Sequence, residues 1–389
     1  MLDTQEFGKI LKQYDFKTFA GVPCSFLAPL INHALNEKSF IMANNEGDAI
    51  AIASGISLSQ NEIGVVLMQN SGLSNALSPL TSLNYTFELP ILGFVSLRGE
   101  AGIADEPQHE LLGTITDKIL EVCKIDYDFL SPDISEASKQ ILSARNAIAN
   151  NKSFIFIVRK NTFKPVELQT QSPIPANPHL CVLKTPKTQN PEKEKPKRIE
   201  ALHIIHQYKE AIILATTGKT GRELYEITDS PNQLYMVGSM GCISPLALGL
   251  SLKITQKVIA IDGDGALLMR MGNLTTNAFY AKGNFCHICL DNQSHDSTGG
   301  QFSLSPYSDI PQIALSCGYK NVFTPENLED FKNTLDHFIY SQNPEGATFI
   351  YLPIQKGSKE NLSRPKIKPK EVKQRLQHFI KNSKDKNGI

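Results

Sequence analysis

Apolar positions along this chain fall in short β-branched runs separated by longer stretches with helical spacing. In the first half, Thr18 to Val22, Phe40 to Ala43, Ile63 to Met68, Ile91 to Ser96 and Phe154 to Val158 read as buried strands. Between them, Ser25 to Asn36 reads as a helix with Ser25 as its cap, followed by helices at Asp48 to Ser59, Ser74 to Leu83 and Ile134 to Ile148. The small residues of Asp48 to Ser59 predict close packing against a neighbour. From about residue 199 to 354 the alternation returns, with strands at Ala211 to Ala215, Gln233 to Val237, Asn284 to Leu290 and in the run from Val258. A helix is expected from Gly272 to Lys282. Strand–helix alternation of this kind predicts an α/β fold, each half a parallel sheet flanked by helices.

The pattern breaks between 165 and 198, where seven prolines and several lysines without apolar periodicity predict an extended linker. Residues 1–164 and 199–354 are therefore expected as two domains of similar build. A basic tail, 355–389, carries nine lysines and two arginines against three acids. Its Glu371 to Lys381 stretch is patterned as a short amphipathic helix. Such a tail is either a solvated appendage or a segment that closes over an anionic substrate.

Composition narrows the function classes. A chain of 389 residues with 41% hydrophobic and 20% charged residues is an ordinary globular protein with ample core. Its formal net charge of zero argues against a nucleic-acid or membrane partner. No apolar run reaches the ~20 residues of a membrane span, and the start of the chain has no secretory leader pattern. Seven scattered cysteines, an odd number, are expected as reduced thiols of a cytoplasmic protein. Cys286 and Cys289 have the spacing of half a zinc site, but they lie in a strand pattern with no second pair.

The candidate chemistry gathers around Val258-Ile-Ala-Ile-Asp-Gly-Asp-Gly-Ala-Leu-Leu-Met269 and Leu290-Asp-Asn292. Here a buried strand is expected to end in a tight turn at Gly263-Asp264-Gly265. In a parallel βαβ unit, successive strands end at the same sheet edge, so Asp264 and Asn292 can converge. One carboxylate and one amide oxygen make a sparse hard-oxygen set, suited to Mg²⁺ that draws further ligands from phosphate and water. Gly263 and Gly265 let the backbone approach a diphosphate.

Further candidates stand at other strand ends. Glu46 lies between a strand and a helix, where a carboxylate faces a cleft. Thr216-Thr-Gly-Lys-Thr-Gly-Arg222 contains Gly-Lys-Thr, but Ile213 occupies the place of the first P-loop glycine. The segment still suits phosphate as a strand–turn–helix junction. A dinucleotide fingerprint fails because Leu268 replaces the third glycine. The loop 102–109 ends in His109. His295-Asp-Ser-Thr-Gly-Gly300 offers an imidazole and a Gly-rich turn able to bind an anion.

Gly-Asp-Gly followed at this distance by Asn292 resembles the motif of thiamine diphosphate (ThDP)-dependent enzymes. That resemblance implies that Glu46 hydrogen-bonds the cofactor's aminopyrimidine and so promotes loss of the thiazolium proton. It implies that Met240 holds the cofactor bent while the Gly238 carbonyl accepts from its amino group. Diphosphate contacts are expected from Thr217, Gly218, Lys219, Gly263, Gly265 and Ala266, and metal contacts from Asp264, Asn292 and Ser294. His109 and His295 are expected to handle proton transfers. The linker is too short for the middle domain of the large decarboxylases of this group.

Within the two-domain members, Gly21-Val-Pro-Cys-Ser25, Asn45-Glu-Gly-Asp48, Asp105-Glu-Pro-Gln-His109, Ala215-Thr-Thr-Gly-Lys-Thr220, Asp296-Ser-Thr-Gly-Gly-Gln301 and Asn361-Leu-Ser-Arg-Pro365 resemble the phosphonopyruvate decarboxylases. Cys24 departs from that pattern, where an Asp is found in some members. The resemblance implies decarboxylation of a small 2-oxo acid bearing an anionic phosphonate. Ser25, Arg98, Thr298, Gly299 and Arg364 are the candidate substrate contacts. It also implies a homodimer or tetramer with active sites between subunits. Sulfopyruvate decarboxylation and a non-catalytic ThDP-binding module remain the alternatives.

Overall fold

The computed structural model describes residues 1–171, 174–175, 177, 195–341 and 345–386. The chain divides into two compact units, Met1–Pro173 and Ile174–Ile389. Most of the connector expected at 165–198 lies outside the described residues.

The first unit is built on six parallel strands: β1 (Thr18–Gly21), β2 (Phe40–Met42), β3 (Gly64–Gln69), β4 (Leu92–Ser96), β5 (Asp126–Phe129) and β6 (Phe154–Val158), in the order β2-β1-β3-β4-β6-β5. Helices lie on both faces, so β4 and β6 are buried at every residue and read as unbroken apolar runs. Phe94 of β4 and Phe156 of β6 stack with centroids 5.4 Å apart, and Phe7 meets Phe94 edge-on. β5 was not expected from the sequence. It is an edge strand whose Asp-Tyr-Asp-Phe run is too polar to read as buried.

The second unit contains β7 (Ile212–Ala215), β8 (Gln233–Tyr235), β9 (Val258–Gly263), β10 (Phe285–Asp291), β13 (Asn321–Phe323) and β14 (Thr348–Pro353), with a small hairpin of β11 (Ser294–His295) and β12 (Gln301–Phe302). Its parallel sheet has the order β13-β14-β10-β9-β7-β8. Counted along the chain, both sheets follow one order: second, first, third, fourth, sixth, fifth. In each unit the chain leaves the first and third strands in opposite directions, which opens a crevice at their carboxyl ends. These are the ends of β1 and β3, and of β7 and β9.

Two local expectations are corrected. Ser25 does not cap a helix; it begins a 3₁₀ turn, Ser25–Leu27, ahead of the helix Ala28–Asn36. Gly263-Asp264-Gly265 is not a separate turn, because β9 runs straight into a short helix, Asp264–Met269.

Each sheet also carries one helix apolar on all sides. Glu46–Leu58 is buried from Gly47 onward, and Ile243–Ser251 is buried at every residue. Both follow the second strand of their unit, so the residues entering them are delivered to the same edge as the crevice.

The basic tail ends in a helix, Pro369–Lys386, longer than its sequence pattern suggested. Val372, Leu376 and Ile380, four residues apart, are at most 2% exposed, and the helix packs on the edge strand β8. Arg375 Nη1 pairs with Asp229 Oδ1 at 2.7 Å. This part of the tail is a structural wall of the second unit. No helix among the described residues is long and apolar enough to cross a membrane. Leu376→Ala is expected to cost about 2–4 kcal/mol, measured as a lower unfolding midpoint; an unchanged midpoint would show that the helix is not docked.

Candidate active site

At the carboxyl edge of the second sheet, four chain segments meet. The β7–helix loop carries Thr217 and Gly218, and a Cβ at Gly218 would stand 2.5 Å from Ser297 Oγ. Lys219 donates its backbone N–H to the same hydroxyl at 3.2 Å. The loop after β8 is sharply folded, with Gly238, Ser239 and Gly241 all at positive φ. A Cβ at Gly241 would lie 2.9 Å from the carbonyl of Ala266. Met240 is half-buried in this loop. The imidazole of His295 lies so close over Gly265 that any side chain there would collide with it. Gly218, Gly241 and Gly265 thus allow the loops after β7, β8, β9 and β10 to touch.

Asp264 and Asn292 stand at the ends of the hydrogen-bonded neighbours β9 and β10, where Gly263 is in register with Leu290. They are 2% and 5% exposed. Burial raises the Asp264 pKa above the usual carboxylate value, partly opposed by the hydrogen bond from Ser303. Its carboxylate accepts from Ser303 Oγ and, at 3.4 Å, from Ser305 Oγ. Ser305 also donates to Asp291 at 2.9 Å, and Tyr351 holds the other Asp291 oxygen at 2.6 Å. Asn292 Nδ2 donates to Asp296 at 2.6 Å, while its Oδ1 accepts from Ser294 N at 3.2 Å. The Ser294 hydroxyl is buried and has no hydrogen-bond partner among the described residues; the same is true of the Thr216 hydroxyl beside the β7 loop.

This donor set fits a divalent cation and a diphosphate. A buried carboxylate partnered by hydroxyls rather than a cation leaves negative charge uncompensated, and orphaned buried hydroxyls call for further ligands. The 295–300 turn is less open to anions than its glycines suggested. The amides of Thr298 and Gly300 already donate to the His295 carbonyl, each at 3.1 Å. Thr298 and Gly299 are exposed, and Arg364 is exposed on the tail.

In the first unit, Glu46 occupies the first helical position after Asn45, whose side chain caps the helix through Asp48 N. Glu46 is therefore not the capping residue. Its Oε2 accepts from Asn75 Nδ2 at 2.9 Å, and Oε1 lies over Gly72, where any Cβ would overlap it. Ser25, Cys24 and Arg98 gather at the ends of β1 and β4. Cys24 Sγ is 3.0 Å from Ser96 Oγ, and Arg98 Nη1 donates to Ser25 Oγ at 3.0 Å. Arg98 stacks 4.7 Å above the Phe26 ring and grips Asp105 through two nitrogens. Its charge is already met by Asp105, so it works first as a clamp on the 99–109 loop. His109 ends that loop, 6% exposed, with Nδ1 unpartnered among the described residues.

Comparison with known proteins matches both units. Residues 4–117 match the family "thiamine pyrophosphate enzyme, N-terminal TPP binding domain", and 216–351 match its C-terminal TPP binding domain. Phosphonopyruvate decarboxylases of Streptomyces viridochromogenes and Streptomyces hygroscopicus are 35% and 37% identical over 93% of this chain, covering 91% and 90% of those proteins. This chain belongs to the phosphonopyruvate decarboxylase family. It is a ThDP-dependent carboxy-lyase. The sulfopyruvate decarboxylase of Methanosarcina acetivorans, a related family, is 28% identical over 96% of both chains. In fold, the chain resembles a benzoylformate decarboxylase from Polynucleobacter necessarius, with TM-score 0.70 and 12% identity over 92% of this chain and 100% of that one.

For this decarboxylase, sequence reasoning overlooked several residues that shape the site. Ser303 and Ser305 have a two-residue spacing that is visible in sequence, but it carries no meaning until Asp264 is known to lie opposite. Lys160, just past β6, stands 5.8 Å from the Phe26 ring beside Arg98, and Asn75 holds Glu46 from a different helix. Arg98 holds the Asp105 carboxyl well below its usual range. A depressed carboxyl stabilises the fold above its unfolded pKa of about 3.9, and that contribution is lost as pH falls toward the folded value. Asp105→Asn is thus expected to destabilise the protein by about 2 kcal/mol at pH 7, with the gap to the native protein narrowing below about pH 4. Parallel melting curves down to pH 3 would expose a wrong assignment.

Proposed function

We propose that this chain converts 3-phosphonopyruvate to phosphonoacetaldehyde and CO₂, with ThDP and Mg²⁺ bound, in the cytoplasm as a step of phosphonate biosynthesis. The observation that carries this reading is the similarity to phosphonopyruvate decarboxylases over 93% of the chain, coinciding with buried Asp264 and Asn292 at adjoining strand ends. When bound, ThDP supplies the carbon nucleophile and the electron sink for loss of CO₂.

The chain's own residues do the rest. Asp264, Asn292 and Ser294 would hold the metal, and Thr217, Gly218, Lys219, Gly263, Gly265 and Ala266 would line the diphosphate. Met240 and the Gly238 carbonyl would set the cofactor's posture. Because Asn75 occupies Oε2 of Glu46, the proton that Glu46 shares with the aminopyrimidine belongs on Oε1. His109 and His295 are the groups for proton transfer to and from substrate. Ser25, Arg98, Lys160, Thr298, Gly299 and Arg364 are the candidates for the phosphonate, which needs cations or N–H donors. Each unit contributes a different half of this list. As the family resemblance implies, the reading includes a homodimer or tetramer, with Glu46 of one subunit serving cofactor held by Asp264 of another.

CO₂ release from phosphonopyruvate, sulfopyruvate and pyruvate, with ThDP and Mg²⁺ present, tests the reading directly. Strong preference for phosphonopyruvate is expected. Preference for sulfopyruvate would keep the chemistry and overturn the phosphonate assignment. Glu46→Gln is expected to lose about 10²–10⁴-fold in kcat while still binding ThDP; full turnover in that variant would remove Glu46 from its role. Gly72→Ala pushes a methyl onto Glu46 Oε1 and is expected to lower kcat about tenfold or more, with KM little changed.

A further inference from the structure

Behind Asn292 lies a buried ionic cluster that the reaction itself does not use. Asp296 Oδ2 accepts three hydrogen bonds: from Asn292 Nδ2 at 2.6 Å, from Arg198 Nη2 at 2.7 Å and from Gly357 N at 3.1 Å. The side chains of Arg198 and Asp296 are only 6% and 12% exposed. Arg198 Nη1 also reaches Glu223 at 3.5 Å, with Glu223 1% exposed. The backbone N–H of Lys359 hydrogen-bonds Glu223, and Lys359 Nζ pairs with Glu226 at 2.7 Å.

Arg198 opens the first helix of the second unit, Glu223 and Glu226 lie on the helix Lys219–Ile227, and residues 357–359 begin the tail. Two of these segments, through Arg198 and Gly357, converge on the Asp296 carboxylate, and that carboxylate grips one side-chain amide.

The consequence for Asn292 follows from its chemistry. An amide side chain presents either its oxygen or its NH₂ group to a given direction, and only the oxygen can bind a cation. An acid accepts only from the NH₂ end, so Asp296 fixes which end of Asn292 faces away from it. We infer that Asp296, braced by Arg198 and by the Gly357 amide, is a positioning residue that holds the Asn292 oxygen toward the divalent-cation site. It acts through Asn292. Arg198 pairs with Asp296 at 2.7 Å and so holds its carboxylate in place, at the desolvation cost of a buried ion pair. The tail enters the same design: its Gly357 and Lys359 amides close the two carboxylates of the cluster, so the strap at 357–359 helps hold the metal ligand still.

This inference rests on Asp264 and Asn292 being the metal ligands, and the experiment separates the two. Mn²⁺ binding to the full-length protein with ThDP present is titrated by electron paramagnetic resonance of the free ion, alongside melting curves without metal or cofactor. Asp296→Asn replaces an obligate acceptor by a group that can donate, and it is expected to weaken Mn²⁺ binding about 10–100-fold. Its melting temperature without ligands is expected to fall by several degrees, because Arg198 loses a buried partner, so Mn²⁺ binding is measured well below that midpoint, where the variant is folded. Should this variant not be recovered folded, Asp296→Glu, which keeps the charge on a longer arm, is expected to weaken Mn²⁺ severalfold.

Unchanged Mn²⁺ affinity in the variant tested overturns the inference. A fall in ligand-free stability as large as that of the loaded protein would assign Asp296 a purely structural role and also overturns it. Asp264→Asn serves as the reference: native-like Mn²⁺ binding in that variant sinks the metal-site reading itself. Loss in Asp264→Asn with none in Asp296→Asn sinks only the positioning role.

Discussion

A carboxylate shut into the end of a parallel sheet is the constraint on which the second unit turns. Asp264 is 2% exposed and accepts from the hydroxyls of Ser303 and Ser305. Hydroxyls satisfy lone pairs but leave the charge in place. Much nearby architecture serves to keep this carboxylate buried and aimed. Ser305 ties it to Asp291, Tyr351 ties Asp291 to β14, and the 294–302 hairpin folds across the edge.

The same economy of form governs both units. Each uses one strand order, and each places an apolar, enclosed helix after its second strand. A helix buried on all sides has little freedom to shift, so whatever precedes it is rigidly held. In the first unit Glu46 is the first residue of that helix; in the second the folded Gly238–Gly241 turn leads into it. The duplicated topology thus puts two different kinds of chemical group at one equivalent place. One unit has a carboxylate there, and the other a tight backbone turn with Met240.

Charge around the candidate substrate groups is more tempered than a list of arginines and lysines suggests. Arg98 is clamped by Asp105 and lies on Phe26, which costs it reach but gives it a fixed direction. The Thr298–Gly300 turn uses two of its own amides to close on His295. Lys160 Nζ stands 5.8 Å from the same ring.

Much of this protein was legible in its sequence. Unbroken apolar runs at β4, β6 and β9 announce strands buried on both faces, and the interval from Asp264 to Asn292 is the length of one strand–helix–strand passage, so both land on one edge. Its place between a strand and a helix also marked Glu46, whereas the Gly238–Gly241 turn stood out only through the family resemblance. The sequence could not supply what depends on partners across the fold. The edge strand β5 is half polar because one side lacks a neighbour, which no local pattern announces. That Arg98 is neutralised by Asp105, that Asn75 holds one oxygen of Glu46, and that Arg198 and Gly357 meet at Asp296 are facts of groups brought together over separations of 7 to 98 residues. Periodicity reports which face of an element is buried; only the folded chain decides what waits on the other side.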